Sequence, residues 1–170
     1  LGMAPESIAV VGQPIADKFR HSFPPKQQLR EQFGWPQDQL VILMVGGGEG
    51  MGPLEETVRA VDSAKFDLMM AIIAGNNQTL KTNLEEADLR TNARVYGFVD
   101  NMPDMMAAAD IIVTKAGPGT ISEAFIAGLP IILYSRMPGQ EEGNVDYVVN
   151  KGAGVWAPTP EQVVLSLIHI

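Results

Sequence analysis

The sequence predicts an α/β fold built on a doubly wound parallel sheet. Apolar runs of strand length alternate with helical stretches along most of the chain. The runs are continuously apolar, which is typical of strands that are buried on both faces. Several of them end in glycine-containing loops, and in such folds the ligand lies outside the carboxyl ends of the strands. The loops that follow the strands are therefore the candidate sites.

Each predicted element follows from a local pattern. The strands are the short apolar runs, of which the last is weak, and they cover 39–45, 68–74, 93–96, 111–114, 131–134 and 155–156. The stretches between them fit helices, with predicted spans 54–63, 78–87, 102–109, 120–127 and 144–150. An earlier helix over 26–33 follows two prolines and stops at Gly34, and Thr159-Pro160-Glu161 is a good helix start. This alternation predicts parallel strands joined by crossover helices.

Composition excludes several classes of function. The 170 residues suggest one domain, with 12 basic and 20 acidic side chains and a net charge of -8. Nucleic-acid binding needs a basic face, so we expect no nucleic-acid partner. The chain has no cysteine, which removes thiolate metal sites and dithiol chemistry, and its two histidines, His21 and His169, lie near the ends. No apolar run approaches the 20 or so residues that a membrane span needs, and the start lacks the pattern of a signal peptide.

Three segments are expected along the chain. Residues 1–22 fit the strand–helix repeat poorly, and they are predicted to be a connector from a missing N-terminal domain. Residues 23–164 form the predicted ligand-binding domain. The stretch from Val163 onward has no polar face, whereas a surface helix should show one. We therefore expect 165–170 to be a non-native tail.

The loop after the first strand, 46–53, is the first candidate site. It carries five glycines within seven positions, including Gly47, Gly48 and Gly50, and a helix begins directly after it. Glycine lets the backbone approach a ligand closely, and the free amides of a helix start bind anions. The loop matches neither the nucleotide P-loop nor the dinucleotide fingerprint, which disfavours a nicotinamide-binding domain. The alternative is a tight turn without a ligand.

The segment after the fourth strand, 115–124, which opens a helix, is the second candidate. Gly119 and Thr120 are placed where a backbone amide and a hydroxyl can donate hydrogen bonds to a phosphate. Glu123 follows one helical turn later, where a carboxylate can accept two hydrogen bonds from a ribose diol. The same spacing fits a capping box with Thr120 as the cap. The local sequence does not decide between these two interpretations.

Two further loops carry weaker signals. Gln140, Glu141 and Asn144 follow the fifth strand and offer donors and acceptors for sugar hydroxyls, or else form a solvated loop with Asn144 as a helix cap. Phe98 and Val99 follow the third strand and could hold a flat base between an apolar side chain and free backbone groups. The local sequence slightly favours the alternative, in which Phe98 is a core residue and Asn101 caps the next helix.

Four motifs in order, at 46–53, 115–124, 128–133 and 139–145, resemble those of the monogalactosyldiacylglycerol synthases. They are similar, less closely, to the lipid II-forming N-acetylglucosaminyltransferase and to processive diacylglycerol glucosyltransferases. The resemblance runs from about residue 8 to residue 160 and implies the C-terminal, Rossmann-like half of a GT-B fold, which binds the nucleotide sugar.

The resemblance assigns a role to each candidate residue. It implies that the glycine loop (Gly47, Gly48, Gly50) and the helix start at Gly119-Thr120 face the diphosphate. Glu123 matches the ribose-binding carboxylate, and the backbone at Phe98 and Val99 matches the strip that reads uracil. Gln140 and Glu141 match the pair that holds the donor sugar, with Asn144 beside them.

The resemblance also implies the reaction of the parent protein. It is an inverting hexosyltransferase that moves galactose or glucose from UDP-galactose or UDP-glucose to diacylglycerol, giving a β-linked glycolipid without a metal or other cofactor. The catalytic base, the diacylglycerol pocket and the membrane-docking surface belong to the missing domain, so the fragment alone is expected to be inactive. The parent is expected on the cytoplasmic face of a membrane, in a plant the plastid envelope. The alternatives are a transferase acting on another lipid, such as a polyprenyl-diphosphate intermediate, and a stand-alone nucleotide-sugar-binding subunit.

Overall fold

The computed structural model describes residues 4–9, 11–19, 22–47 and 52–169. Within them, strands β1 to β6 span Leu40–Val45, Leu68–Ile73, Asn92–Tyr96, Ile111–Lys115, Ile131–Ser135 and Gly154–Trp156. Helices α1 to α7 span Lys26–Phe33, Leu54–Ser63, Gln78–Glu85, Met102–Ala108, Pro118–Ala127, Glu142–Asn150 and Pro160–Ile168. Two single turns of 3-10 helix, Pro5–Ser7 and Asp17–Phe19, precede α1. The predicted order of strands and helices is confirmed.

All six strands form one parallel sheet in the order β3-β2-β1-β4-β5-β6. The four central strands are almost entirely buried, as their continuous apolar sequences predict. The edge strands β3 and β6 are only partly buried, because each has a neighbour on one side alone. The strand order reverses between β1 and β4, which makes their carboxyl ends the topological switch point.

Helices cover both faces of the sheet and divide the core in two. One cluster packs the side chains of α1, α4, α5 and α6 against the sheet, through residues such as Leu29, Met105 and Ile121. The other packs α2, α3 and α7 through residues such as Leu54, Leu84 and Val163. The helix after β1 and the helix after β4 therefore leave the sheet toward opposite faces. Their diverging starts open a crevice at the switch point.

The last helix, α7, begins with a complete capping box. The Thr159 hydroxyl accepts a hydrogen bond from the Gln162 amide, and the Gln162 side chain accepts one from the Thr159 amide. This confirms the helix start predicted at Thr159-Pro160-Glu161. Leu167 is buried against the second core cluster, whereas Leu165 and Ile168 are exposed.

At the amino ends of the strands, opposite the crevice, the buried Arg30 binds several backbone carbonyls and a carboxylate. Its guanidinium donates to the carbonyls of Ala108, Gln37 and Gln39 at 3.0–3.2 Å, and it pairs with Asp110. Burial raises the pKa of Asp110, but the hydrogen bonds from Lys26 and the Val41 amide and the charge of Arg30 outweigh burial and leave the pKa below its usual value. This network joins α1 to the starts of β1 and β4.

Gly154 is required for the pairing of the edge strand β6 with β5. A Cβ atom built on it would lie 2.1 Å from the carbonyl oxygen of Ile131, which is backbone and cannot rotate away. We expect Gly154→Ala to lower the free energy of unfolding by about 1–3 kcal/mol, the usual cost of overpacking. Chemical denaturation measures this change.

Gly143→Ala is the matched control for that substitution. Gly143 lies within α6, and a Cβ there meets no described atom within 4 Å. Alanine should stabilise the helix by roughly 0.5–1 kcal/mol. Equal stability of the Gly154→Ala variant and the unchanged chain would refute the close approach at β6.

Candidate functional site

A cavity of about 160 Å³ lies at the switch point. We call it the switch-point cavity, and it is formed by the ends of β1 and β2, the loops after β1, β2 and β3, the start of α4 and the first two turns of α5. Its lining residues are Val45, Gly47, Ile73, Gly75, Phe98, Val99, Met102, Thr120 and Glu123. Five of the predicted site residues therefore line one cavity, although they come from three separate segments of the chain: Gly47, Phe98, Val99, Thr120 and Glu123.

The glycine loop enters this cavity at Gly47. The Gly46 amide extends the β1–β2 ladder by donating to the Ile73 carbonyl at 3.2 Å, and Gly47 then turns the chain with a φ of +76°. Only glycine adopts such a φ at low cost. The predicted ligand-binding residues Gly48 and Gly50 lie outside the described residues.

Helix α5 begins two residues earlier than the sequence predicts. Gly117 is its N-cap and Pro118 is the first helical residue, with the Ile121 amide donating to the Gly117 carbonyl at 3.1 Å. Thr120 is therefore inside the first turn, so the capping-box interpretation with Thr120 as the cap is wrong. The amides of Gly119 and Thr120 precede the first intrahelical donor, so they have no acceptor within the helix. No described atom lies within 4 Å of a Cβ built on Gly119, so the part of the chain that the structure describes leaves this helix start open.

Glu123 lies in the second turn of α5 and faces the switch-point cavity. Burial raises its pKa above the usual value, and the positive charge of Lys18 partly opposes that rise. Lys18 belongs to the 3-10 turn Asp17–Phe19, which the buried ring of Phe19 anchors to the core. The Lys18 ammonium also donates to the Asp100 carbonyl at 2.7 Å, in the loop that carries Phe98 and Val99. Lys18 thus links the N-terminal segment 11–19 to the loop after β3 by a hydrogen bond, and its charge acts on Glu123.

Phe98 stands at the rim of the cavity with 69 % of its surface exposed. The alternative that placed it in the core is therefore wrong. Val99 is half-buried and packs against the core beside it. Asn101 does occupy the N-cap position of α4, but among the described atoms its side chain accepts no hydrogen bond from the first amides of the helix. An exposed ring beside a cavity can cover a flat ligand group.

The predicted sugar-binding residues Gln140, Glu141 and Asn144 do not line the switch-point cavity. Gln140 is exposed in the turn before α6, and Glu141 is the N-cap of α6, with 8 % of its surface exposed. The Asn144 amide donates to the Ala116 carbonyl at 2.8 Å and so ties α6 to the loop before α5. Because α6 begins at Glu142, the prediction of Asn144 as its cap is wrong.

Asn144 lines a second hollow, which we call the connector groove. The N-terminal segment 11–19 and helices α5 and α6 form it, and its volume is about 440 Å³. Its lining residues are Gln13, Ile15, Pro118, Ile121, Ser122, Phe125, Asn144 and Tyr147. The two hollows lie on either side of the first turns of α5.

Lys115 is a site residue to which the sequence assigned no role. It is the last residue of β4, and its side chain lies against Gly47, where a Cβ atom would be 3.1 Å from the lysine Cε. Its ammonium is 4.0 Å from a carboxylate oxygen of Glu141. The sequence did carry a signal for Lys115 as a site residue, because it is a lysine at the end of a central strand, next to a glycine-rich loop.

Across the described ranges, no group of three or more acidic or histidine side chains is arranged to hold a metal ion. None of the helices described there is both long enough and apolar enough to cross a membrane.

Residues 41–167 match the glycosyltransferase family 28 C-terminal domain. The chain belongs to this family. Like the family match, curated relatives support the motif resemblance. The rice (Oryza sativa subsp. japonica) "Probable monogalactosyldiacylglycerol synthase 2, chloroplastic" is 43% identical over 95% of this chain and 36% of its own length. The spinach (Spinacia oleracea) "Monogalactosyldiacylglycerol synthase, chloroplastic" is 41% identical over 95% of this chain and 32% of its own. This glycosyltransferase family 28 domain thus spans about a third of these relatives.

Solved structures share the fold of this family 28 domain. WaaG, a glycosyltransferase involved in lipopolysaccharide biosynthesis, aligns with a TM-score of 0.72 at 20% identity, over 96% of this chain and 47% of its own. The Streptomyces glycosyltransferase SsfS6, complexed with thymidine diphosphate, aligns with a TM-score of 0.56 at 16% identity, over 79% of this chain and 33% of its own. The predicted fold class, the Rossmann-like half of a GT-B glycosyltransferase, is confirmed.

Proposed function

We propose that this chain is the UDP-sugar-binding domain of an inverting hexosyltransferase that transfers galactose or glucose to diacylglycerol. The observation that carries the proposal is that Gly47 and Phe98, from two loops, and Thr120 and Glu123, from helix α5, line one cavity at the switch point. A nucleoside diphosphate needs an anion site, a diol acceptor and an apolar surface at close range. The cavity brings together a residue suited to each need.

The diphosphate is assigned to the open start of α5 and to the glycine loop. The free amides of Gly119 and Thr120 point out of the helix, where the positive end of the helix dipole favours an anion. Leaving UDP gains negative charge as the sugar departs, and preorganised donors stabilise such charge in the transition state. This arrangement needs no metal, and the catalytic base is assigned to the part of the protein that precedes this chain.

The nucleoside is assigned to the other side of the switch-point cavity. The half-buried carboxylate of Glu123 is placed to accept hydrogen bonds from the ribose diol, and charge-assisted hydrogen bonds are about twice as strong as neutral ones. The exposed Phe98 ring and the adjacent backbone at Val99 are assigned to the uracil. The donor sugar then extends toward Gln140, Glu141 and Asn144.

The acceptor and location rest on the relatives. The names of the rice and spinach proteins specify galactose and diacylglycerol, and both include the word chloroplastic. On that support, diacylglycerol is preferred to another lipid, and peripheral association with a plastid-envelope membrane is part of the proposal.

Calorimetry of this chain with UDP, UDP-galactose and UDP-glucose tests the proposed function. ADP is the control, because it offers the same diphosphate and ribose with a different base. We expect UDP and at least one UDP-sugar to bind and ADP to bind more weakly. Equal affinity for ADP, or no binding of any uridine nucleotide, would contradict the proposal.

Gln140→Ala is expected to change binding of the sugar and not of the nucleotide. Gln140 is exposed and lies outside the switch-point cavity, so its loss leaves the sites assigned to UDP intact. The affinity for UDP should stay within about twofold of that of the unchanged chain. The extra affinity of UDP-galactose over UDP should fall, since one hydrogen bond contributes about 0.5–1.5 kcal/mol. Calorimetry with UDP and UDP-galactose measures both. An equal loss for both ligands would show that this loop has a structural role.

On acidification, the affinity for UDP-galactose is expected to begin to fall at a higher pH than it would if Glu123 had the pKa of an ordinary glutamate. Burial raises the pKa of Glu123 despite the charge of Lys18, so the carboxylate protonates earlier as the pH falls. The protonated form is a weaker acceptor for the ribose hydroxyls. Binding should therefore be constant above this pKa and weaken below it. In Glu123→Gln the dependence should vanish, and its persistence would assign the titration to another group.

A further inference from the structure

Lys115 and Glu141 form a pair of opposite charges between the two hollows. The Lys115 ammonium lies 4.0 Å from the Glu141 carboxylate, and their side chains are 24% and 11% exposed. The distance exceeds that of a hydrogen bond, so the two charges attract each other without a fixed contact. Such an ammonium can turn toward a second anion without breaking a hydrogen bond.

The position of Lys115 suits a diphosphate. Its stem passes beside Gly47 and Gly117, where Cβ atoms would lie 3.1 Å and 3.9 Å from the lysine Cε. Gly117 is the N-cap of α5, so the ammonium lies near the open helix start. The chain carries a net charge of -8, and a local positive charge is needed to attract an anion here.

Glu141 opposes anion binding at the same place. One of its oxygens accepts a hydrogen bond from the Met137 amide at 2.8 Å, which fixes the carboxylate at the start of α6. The other oxygen faces Lys115 and lies 3.9 Å from the position of a Cβ on Gly117. A buried carboxylate beside an anion site weakens that site unless its charge is needed by another part of the ligand.

We infer that the donor opens the Lys115–Glu141 pair, with Lys115 turning to the diphosphate and Glu141 accepting hydrogen bonds from the sugar hydroxyls. This inference rests on the proposed function, because it presumes that a UDP-sugar occupies the site. In the empty site each charge is partly neutralised by the other. A UDP-sugar compensates both charges, because its diphosphate pairs with Lys115 and its sugar hydroxyls donate to Glu141. UDP without a sugar leaves Glu141 uncompensated. The pair thus favours the complete donor over UDP.

The test is a double-mutant cycle measured by calorimetry with UDP. Glu141→Gln keeps the acceptor for the Met137 amide and frees Lys115, so it should raise the affinity for UDP by roughly three- to tenfold. The preference of the Glu141→Gln variant for UDP-galactose over UDP should fall. Lys115→Met should weaken UDP binding about tenfold. In the Lys115→Met background, Glu141→Gln should then change UDP affinity by less than about twofold.

Glu142→Gln is the matched control. It removes the same charge one residue away, from a carboxylate that accepts a hydrogen bond from the Gly139 amide. It should change UDP affinity by less than about twofold, since its charge is exposed and screened. If Glu141→Gln fails to fold, Glu141→Ala replaces it, with the same expected gain for UDP.

The outcomes separate this inference from the proposed function. Unchanged or lower UDP affinity in a folded Glu141 variant would overturn the inference, as would a gain that persists without Lys115 or that Glu142→Gln reproduces. In those cases UDP still binds and the proposed function stands. Absence of UDP binding to the unchanged chain would overturn both.

Discussion

Arg30→Met should lower the free energy of unfolding by about 3–5 kcal/mol, the usual cost of removing one partner of a buried charge pair. The Arg30 side chain is 6% exposed, and it pairs with Asp110 and donates to the carbonyls of Ala108, Gln37 and Gln39. The contact with Ala108 is buried and the other two are part-buried. Methionine fills much of the volume but satisfies none of these groups, and each unsatisfied buried acceptor costs about 1–3 kcal/mol. Urea denaturation measures the change.

Lys26→Met is the control for this prediction. Lys26 pairs with the same Asp110 carboxylate at 2.8 Å, but its side chain is 46% exposed. An exposed pair of this kind contributes about 0–1 kcal/mol. A loss below about 1.5 kcal/mol in Arg30→Met, or equal losses in the two variants, would show that the carbonyl contacts of Arg30 contribute little.

Glu123→Ala should weaken UDP binding by about 1–3 kcal/mol, the usual cost of losing hydrogen bonds to a charged group. Glu123 lines the switch-point cavity, and its carboxylate is the group assigned to the ribose diol. Calorimetry with UDP measures the loss. The folded state should survive, because Glu123 is half-buried and makes no hydrogen bond that supports α5 among those described.

Ser122→Ala is the matched control for Glu123. Ser122 precedes it on α5 but lines the connector groove on the other side of the helix. Its loss should leave UDP affinity unchanged within about twofold. Unaltered affinity in Glu123→Ala would remove the ribose assignment, and an equal loss in both variants would indicate a general disturbance of α5.

The sheet was predictable because its four central strands are apolar along their whole length. Continuous burial on both faces leaves this pattern in the sequence, and the glycine loops mark the carboxyl ends of the strands. The start of α5 was predicted two residues late, although Pro118 fits the first helical position and was itself a signal. The start of α6 was late as well, because Glu141 is not a common capping residue.

The site was predictable where its residues follow strands, and it was not where they come from distant segments. Thr120, Glu123, Phe98 and Gly47 follow β4, β3 and β1, whose ends a parallel sheet brings to one edge. The charge of Lys18 acts on Glu123 from an N-terminal segment without periodicity, so no local pattern indicates this interaction. The exposure of Phe98 depends on packing around the cavity, which local sequence does not encode.

The central claim is that the switch-point cavity holds a uridine diphosphate between the start of α5 and the loop after β3. A titration of the isotope-labelled chain with UDP, followed by amide resonances in NMR, tests this most directly. We expect the largest shifts at the amides of Gly47, Val99, Gly119 and Thr120, with small shifts around the opposite end of the sheet near Arg30. Shifts concentrated at Arg30, or confined to the connector groove residues Gln13 and Tyr147, would contradict the claim.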